Sequence, residues 1–332
     1  MNPRSNSAKS SVGPIDICVT GDVHGHMQLA LLVAARWQLE LGITFAAVLL
    51  CGDIGAFSDR ARLDKATRRH ADENPCELEM LNQWMCDPPA PWLRRIFDSV
   101  DDGGLGLACP VIAVHGNHED FELLERIAPT TATIPAEPVP PSHLPRLDPA
   151  GRISFLPSGW RTVTASGLIV GAIGGIQPGQ RPKAGYPPRA YISEDAVLSF
   201  CDRPAVDALI SHQGPAEIQG MQRGSDHLDV ILKCGLIRTW FHGHSIADDT
   251  IRTVGETTVV PLNGIPFQTR GPDAGMPGTD AWCWARYNGA ELEVVRELPR
   301  FWREFDQRRW IRRPDGQLVA PQLCASMEGG ER

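Results

Sequence analysis

Five short apolar runs of β-forming residues in this chain each stop at a polar group able to bind a metal. Ile15–Thr20 runs into "GDVHG", with Asp22 and His24. Phe45–Cys51, apolar throughout, runs into Asp53. Pro110–Val114 runs into "HGNHED", with Asn117, His118 and Glu119. Val206–Ser211 ends at His212, and Leu236–Phe241 ends at "HGHS", with His242 and His244. Between the first three runs lie helical stretches: Met27–Leu41, with amphipathic spacing, much of Asp59–Val100, and Asp120–Ile127. Alternation of this kind predicts a largely parallel sheet covered by helices. In open α/β sheets, ligands gather at the carboxyl ends of the strands. A strand end alternates its side chains, so residues i and i+2 such as Asp22 and His24 address one point.

The second half changes rhythm. After a Pro-rich stretch at Pro129–Pro149, short β-type runs follow at Ile153–Leu156, Trp160–Thr164 and Leu168–Ile173. A Gly/Pro loop, "GGIQPGQRPKAGYPPRAY", carries Arg181, Lys183 and Arg189, three cations that fit a phosphate or a nucleic-acid backbone and fit a solvated loop equally well. A helix at Ser193–Cys201 precedes the Val206–Ser211 run. A further strand is expected at Thr257–Leu262, and a late hairpin pairs Ala281–Tyr287 with Glu291–Glu297 around Asn288-Gly289. The expected division is a disordered lead-in over 1–14, one domain over 15–298, and a basic, aromatic extension over 299–332.

Composition narrows the setting. The 332 residues carry a net charge of −8, which gives no global attraction for nucleic acid or an anionic membrane. No apolar stretch reaches the roughly 20 residues of a membrane span, and the N-terminus has no signal-peptide core. Nine cysteines with no C-x-x-C pair suggest reduced thiols and a cytoplasmic location. The extension sets Arg296, Arg300, Arg303, Arg308, Arg309, Arg312 and Arg313 beside Phe301, Trp302 and Trp310. This combination fits single-strand nucleic acid, and fits equally a helix packed on the domain with a basic outer face.

The donor set is mixed Asp, Asn and His, which suits borderline divalent ions: Mn first, with Fe, Zn or Ni as alternatives. It exceeds what one tetrahedral ion takes. Two ions about 3.5–4 Å apart, bridged by a shared carboxylate and lowering the pKa of a bridging water, would use it and would hydrolyse phosphate esters.

In order, Gly-Asp-x-His-Gly, Gly-Asp, Gly-Asn-His-Glu, an isolated His and Gly-His resemble the calcineurin-like metallophosphoesterase superfamily, from about Ile15 to Pro266. The resemblance implies a four-layer α/β/β/α sandwich over the 15–298 domain. It implies that Asp22 and His24 bind a first metal and that Asp53 bridges to a second. Asn117, His212 and a histidine of "HGH" would bind that second ion, and His118 would lie at the leaving group.

Two features depart from the pattern. Many members end in Gly-His-x-His, whereas here Ile246 stands at the last position. Either His244 is the ligand and the first site lacks a histidine, as in protein Ser/Thr phosphatases, or both His242 and His244 bind. Those phosphatases also carry an Asp three residues after the bridging Asp, where this chain has Ala56. The "CGDIGAF" stretch and Gly174-Gly175-Ile176 instead resemble RNA lariat debranching enzymes, although those usually have Cys where this chain has Asp22. The expected activity is metal-dependent hydrolysis of a phosphomonoester or phosphodiester in a phosphorylated substrate, with nucleic acid open as a partner. The alternative is a non-catalytic binding or scaffold protein on the same fold.

Overall fold

A computed structural model describes residues 13–87, 90–179, 186–220, 223–245, 250–266, 274–278, 280–288, 291–296, 300–312 and 318–319. The expected disordered segment 1–14 lies almost wholly outside them, as do Arg181, Lys183 and Ile246.

The chain opens with β1 (Ile15–Thr20), α1 (Met27–Leu41) and β2 (Phe45–Leu50). An insertion follows, carrying α2 (Lys65–Glu73), a 3₁₀ turn at Pro75–Leu78 and α3 (Pro91–Phe97). Next come β3 (Val111–Ala113), α4 (Phe121–Ile127), β4 (Ile153–Phe155), β5 (Arg161–Val163), β6 (Ile169–Ile173) and α5 (Glu194–Cys201). The later elements are β7 (Val206–Ser211), α6 (Ala216–Gln219), α7 (Asp226–Cys234), β8 (Ile237–His242), β9 (Arg252–Val254), β10 (Thr257–Pro261), β11 (Trp282–Asn288) and β12 (Glu291–Val295). They form two six-stranded mixed sheets, ordered β12-β11-β1-β2-β3-β4 and β5-β6-β7-β8-β10-β9. β1 to β4 run parallel, as do β6, β7, β8 and β10, while β11, β12, β5 and β9 add antiparallel edges. Pairing of Trp284 with Val295 and Asn288 with Glu291 makes the late hairpin that the sequence implies.

The period-2 alternation of side chains along each strand builds the layers. Ile17, Val19, Ala47 and Leu49 of the first sheet meet Val170, Ala208, Ile210 and Phe241 of the second in one buried cluster between the sheets. The alternate residues Cys18, Val48 and Leu50 face α1. Leu209 and Trp240 face α5 and α7 on the far side, with Val197, Phe200, Leu228 and Ile231. This is an α/β/β/α sandwich.

Two sequence expectations need adjusting. The spacing of Met27–Leu41 reads as amphipathic, yet eleven of its fifteen residues are buried. The sheet covers one side of the helix, and Phe301, Phe305 and Trp310 of the C-terminal segment join the same core. Arg36 of the helix also lies over the Phe301 ring, 5.2 Å from its centroid. These aromatic rings therefore pack inward. The Asp59–Val100 stretch is helical only in pieces, with 3₁₀ and π turns between α2 and α3. Asn74-Pro75 explains the break after α2, because a residue before proline avoids the helical region.

Candidate metal centre

The sandwich brings the C-terminal ends of β1, β2, β3, β7 and β8 to one place. Asp53, 2% exposed, stands at the centre. Its Oδ2 lies 3.6 Å from His24 Nε2 and 3.5 Å from His212 Nε2. Its Oδ1 accepts from the backbone N–H groups of Asn117 (2.7 Å) and His118 (2.9 Å). This approach requires Gly116, where a Cβ would stand 2.0 Å from Asp53 Oδ1. The Asp53 carbonyl oxygen accepts from Val23 and His24 N–H, which ties the loops after β1 and β2 together.

Asp22 lies 3.2 Å from His212 Nδ1 and accepts from His244 N–H at 2.9 Å. The other ring nitrogen of His212 lies 3.0 Å from Asn117 Oδ1. Two compact donor groups result: Asp22–His24–Asp53 and Asp22–His212–His244.

The physical state of these residues suits a cation. His24, Asp53 and His244 adopt φ of 44°, 41° and 48°, and among the described residues the only other non-glycine with positive φ is Asp280. Each costs roughly 1–3 kcal/mol, and such strain persists where the surroundings impose it for function. Burial works to raise the Asp53 pKa, but the charges of His212, His24 and His118 outweigh it and hold the carboxyl well below its usual range. Burial likewise opposes charge on His212, yet Asp53 and Asp22 push its pKa up to about 9. Two carboxylates converging on one buried and two more open imidazoles, with an amide oxygen alongside, fit divalent-ion ligation.

The two histidines of "HGH" are separated by the fold. β8 ends at His242, whose ring is fully buried, with Nδ1 2.9 Å from the Gly243 carbonyl oxygen and its far edge against Gly214. His244 lies with Asp22 and His212, its ring 4.9 Å from that of His212. His244→Ala is expected to lower the bound-metal count by one, while His242→Ala keeps the count and lowers the melting temperature through the cavity it leaves. Metal analysis of the two purified proteins checks this; an ion lost from His242→Ala would overturn it.

Beside the cluster opens a cleft of about 770 Å³, lined in part by Asn117, Asp64, Tyr186, Arg189 and Glu125. His118 neighbours the cleft through Tyr186, its ring 5.8 Å from that of His24 and 6.2 Å from that of Tyr186. Arg189 is largely covered and ion-paired to Glu125 at 2.8 Å.

Three residues here escaped the sequence reading. Asp64, at the N-cap of α2, places Oδ2 3.0 Å from His118 Nδ1. Glu77 is buried behind His24, and Tyr186 accepts from Asn117 Nδ2 at 3.5 Å. Ala56, at the position compared above with the phosphatase Asp, is buried and donates its N–H to Glu119 instead. The one sequence signal for Asp64 was a carboxylate immediately ahead of a helix-forming run, a capping cue without a functional mark.

An α/β/β/α sandwich that gathers carboxylates and imidazoles at its strand ends defines the class: proteins that hold divalent metal at the edge of a sheet sandwich. Comparison with known families is more particular, matching residues 15–248, more than half of the chain, to the calcineurin-like phosphoesterases (Metallophos). The chain belongs to this family. A search of curated proteins finds no match. No helix among the described residues is long and apolar enough to cross a membrane.

Proposed function

We propose that this chain is a divalent-metal-dependent phosphoesterase that cleaves a phosphomonoester or phosphodiester in the cleft beside Asn117 and His118. The observation that carries the reading is the convergence of five strand ends on the Asp22 and Asp53 carboxylates. Asp22, His24 and Asp53 would hold one ion, and Asn117, His212 and His244 the other, with Asp22 beside both groups and Asp53 facing His212 as the bridging carboxylate; Mn is first among the metals that suit these donors. Ions bound there would lower the pKa of a water and neutralise the phosphoryl oxygens. The protein's own part is to fix the donors, exclude bulk water behind Asp53, and present His118 to the leaving oxygen with its other ring nitrogen held by Asp64.

Chelation should abolish hydrolysis of an aryl phosphate monoester or diester, and added Mn²⁺ should restore it. Undiminished turnover by protein shown to hold no metal would overturn the proposal.

A further inference from the structure

The insertion between β2 and β3 sends a second carboxylate to the site. Glu77, in the 3₁₀ turn Pro75–Leu78, is only 7% exposed. Its Oε2 lies 4.0 Å from Nδ1 of His24, while the opposite nitrogen of that ring, Nε2, faces Asp53 Oδ2 at 3.6 Å. Among the described residues, His24 is its ion-pair partner.

The placement is built rather than incidental. Gly25 packs so tightly on this turn that a Cβ there would stand 2.2 Å from the Glu77 carbonyl oxygen. Asn74, which caps the turn through Cys76 N–H, reaches His26 Nε2 at 3.0 Å, and His26 Nδ1 lies 2.7 Å from the carbonyl oxygen of His24. Turn and His24 loop are thus locked together on two sides. A buried carboxylate is costly unless something pairs with it. His24 is also the one imidazole of the Asp22–His24–Asp53 group, so its orientation and basicity decide how well that group holds an ion. Histidines that ligate metal almost always give their other N–H to a carboxylate, carbonyl or water, which selects the tautomer and strengthens the donor.

We propose that Glu77 is the positioning residue of the first metal site: its carboxylate, 4.0 Å from Nδ1 of His24, favours the proton on that nitrogen by charge and so directs the lone pair of Nε2 into the Asp22–Asp53 cluster. The inference rests on the metal-binding reading above. Glu77 belongs to neither compact donor group and acts through His24.

Mn²⁺ titration of the full chain, followed by calorimetry and by electron paramagnetic resonance, tests it in the unsubstituted protein, Glu77→Gln and Glu77→Asp. The unsubstituted chain should bind two ions. Glu77→Gln should weaken one site by about 10- to 100-fold and leave the other unchanged, the usual cost of losing such an outer partner. Glu77→Asp, which keeps the charge one methylene shorter, should lose less at the same site. The melting temperature of metal-free Glu77→Gln should not fall, whereas the stabilisation gained with Mn²⁺ should shrink, a pattern that a merely structural role would not produce. Equal affinities at both sites in Glu77→Gln and the parent, or equal weakening of both, would overturn the inference while leaving the metal centre intact. If Glu77→Gln does not fold, unchanged affinity in Glu77→Asp overturns it. A parent chain that binds no Mn²⁺ overturns the metal reading itself, and this inference with it.

Discussion

Asp53→Asn is expected to reduce hydrolysis to background and to strip both metal positions, whereas Asp22→Asn, although Asp22 also stands in both donor groups, should retain more metal. Asp53 faces His24 on one side and His212 on the other, so its charge reaches one imidazole of each donor group, and Asp22 is the other carboxylate that both groups share. An asparagine amide oxygen can still accept from the N–H groups of Asn117 and His118, so the loop after β3 should keep its course. What disappears is the negative charge between two imidazoles. At several kcal/mol of transition-state stabilisation per lost ion and tenfold in rate per roughly 1.4 kcal/mol, the loss of turnover should be on the order of 10³-fold or more. Metal analysis of the two variants decides the matter. One ion missing from each, in equal measure, would refute a shared role for Asp53.

The same geometry explains how much of the site was legible in the chain. Each strand end announces itself locally: an apolar run, a glycine, then Asp, Asn or His. Long-range assembly needs no further cue, because parallel strands in one sandwich place their carboxyl ends together. Alternation, however, was only part of the reason Asp22 and His24 meet. β1 ends at Thr20, and His24 reaches Asp53 from a left-handed backbone conformation rather than from an extended one. The same effect divides His242 from His244. Equal i, i+2 spacing suggested that both could face the site, but His244 also has positive φ, so the two rings diverge. Backbone conformation of that sort carries no mark in a stretch such as "HGHS".

Asp64 and Glu77 were illegible for a different reason. They belong to "LDKATRRHADENPCELEM", a charged stretch within the largely helical expectation for Asp59–Val100. Only the packing of the insertion over the mouth of the site turns two of its many acids toward His118 and His24. The aromatic extension shows the converse. A basic run with interleaved rings suggested stacking on a strand of nucleic acid, yet Phe301, Phe305 and Trp310 are buried against α1. Composition could not distinguish rings awaiting a base from rings completing a core.

His118→Ala is expected to retain the full metal content and to lose about 10²- to 10⁴-fold in rate on a substrate with a poor leaving group, the usual contribution of a general acid. Burial works against a charged His118. The hydrogen bond to Asp64, with the charges of Asp53 and Asp64, outweighs it and raises the pKa above the ordinary histidine value. The shift enlarges the share of the protonated ring needed to donate to a leaving oxygen. With Nδ1 held by Asp64 at 3.0 Å, Nε2 is the nitrogen left to deliver the proton. Asp64→Asn tests this arrangement gently, because asparagine can keep the capping bonds from Ala66 and Thr67 N–H that start α2. Removing the Asp64 charge lowers the His118 pKa. Since the acid works only while protonated, activity is lost as pH rises through that pKa, so the alkaline limb should move to lower pH in Asp64→Asn. With an activated phenolate, which departs without a proton, the limb should flatten and the penalty of both substitutions should shrink. Equal penalties for good and poor leaving groups, or an alkaline limb that stays in place without Asp64, would remove His118 from the role of acid and leave it a binding group for the phosphate.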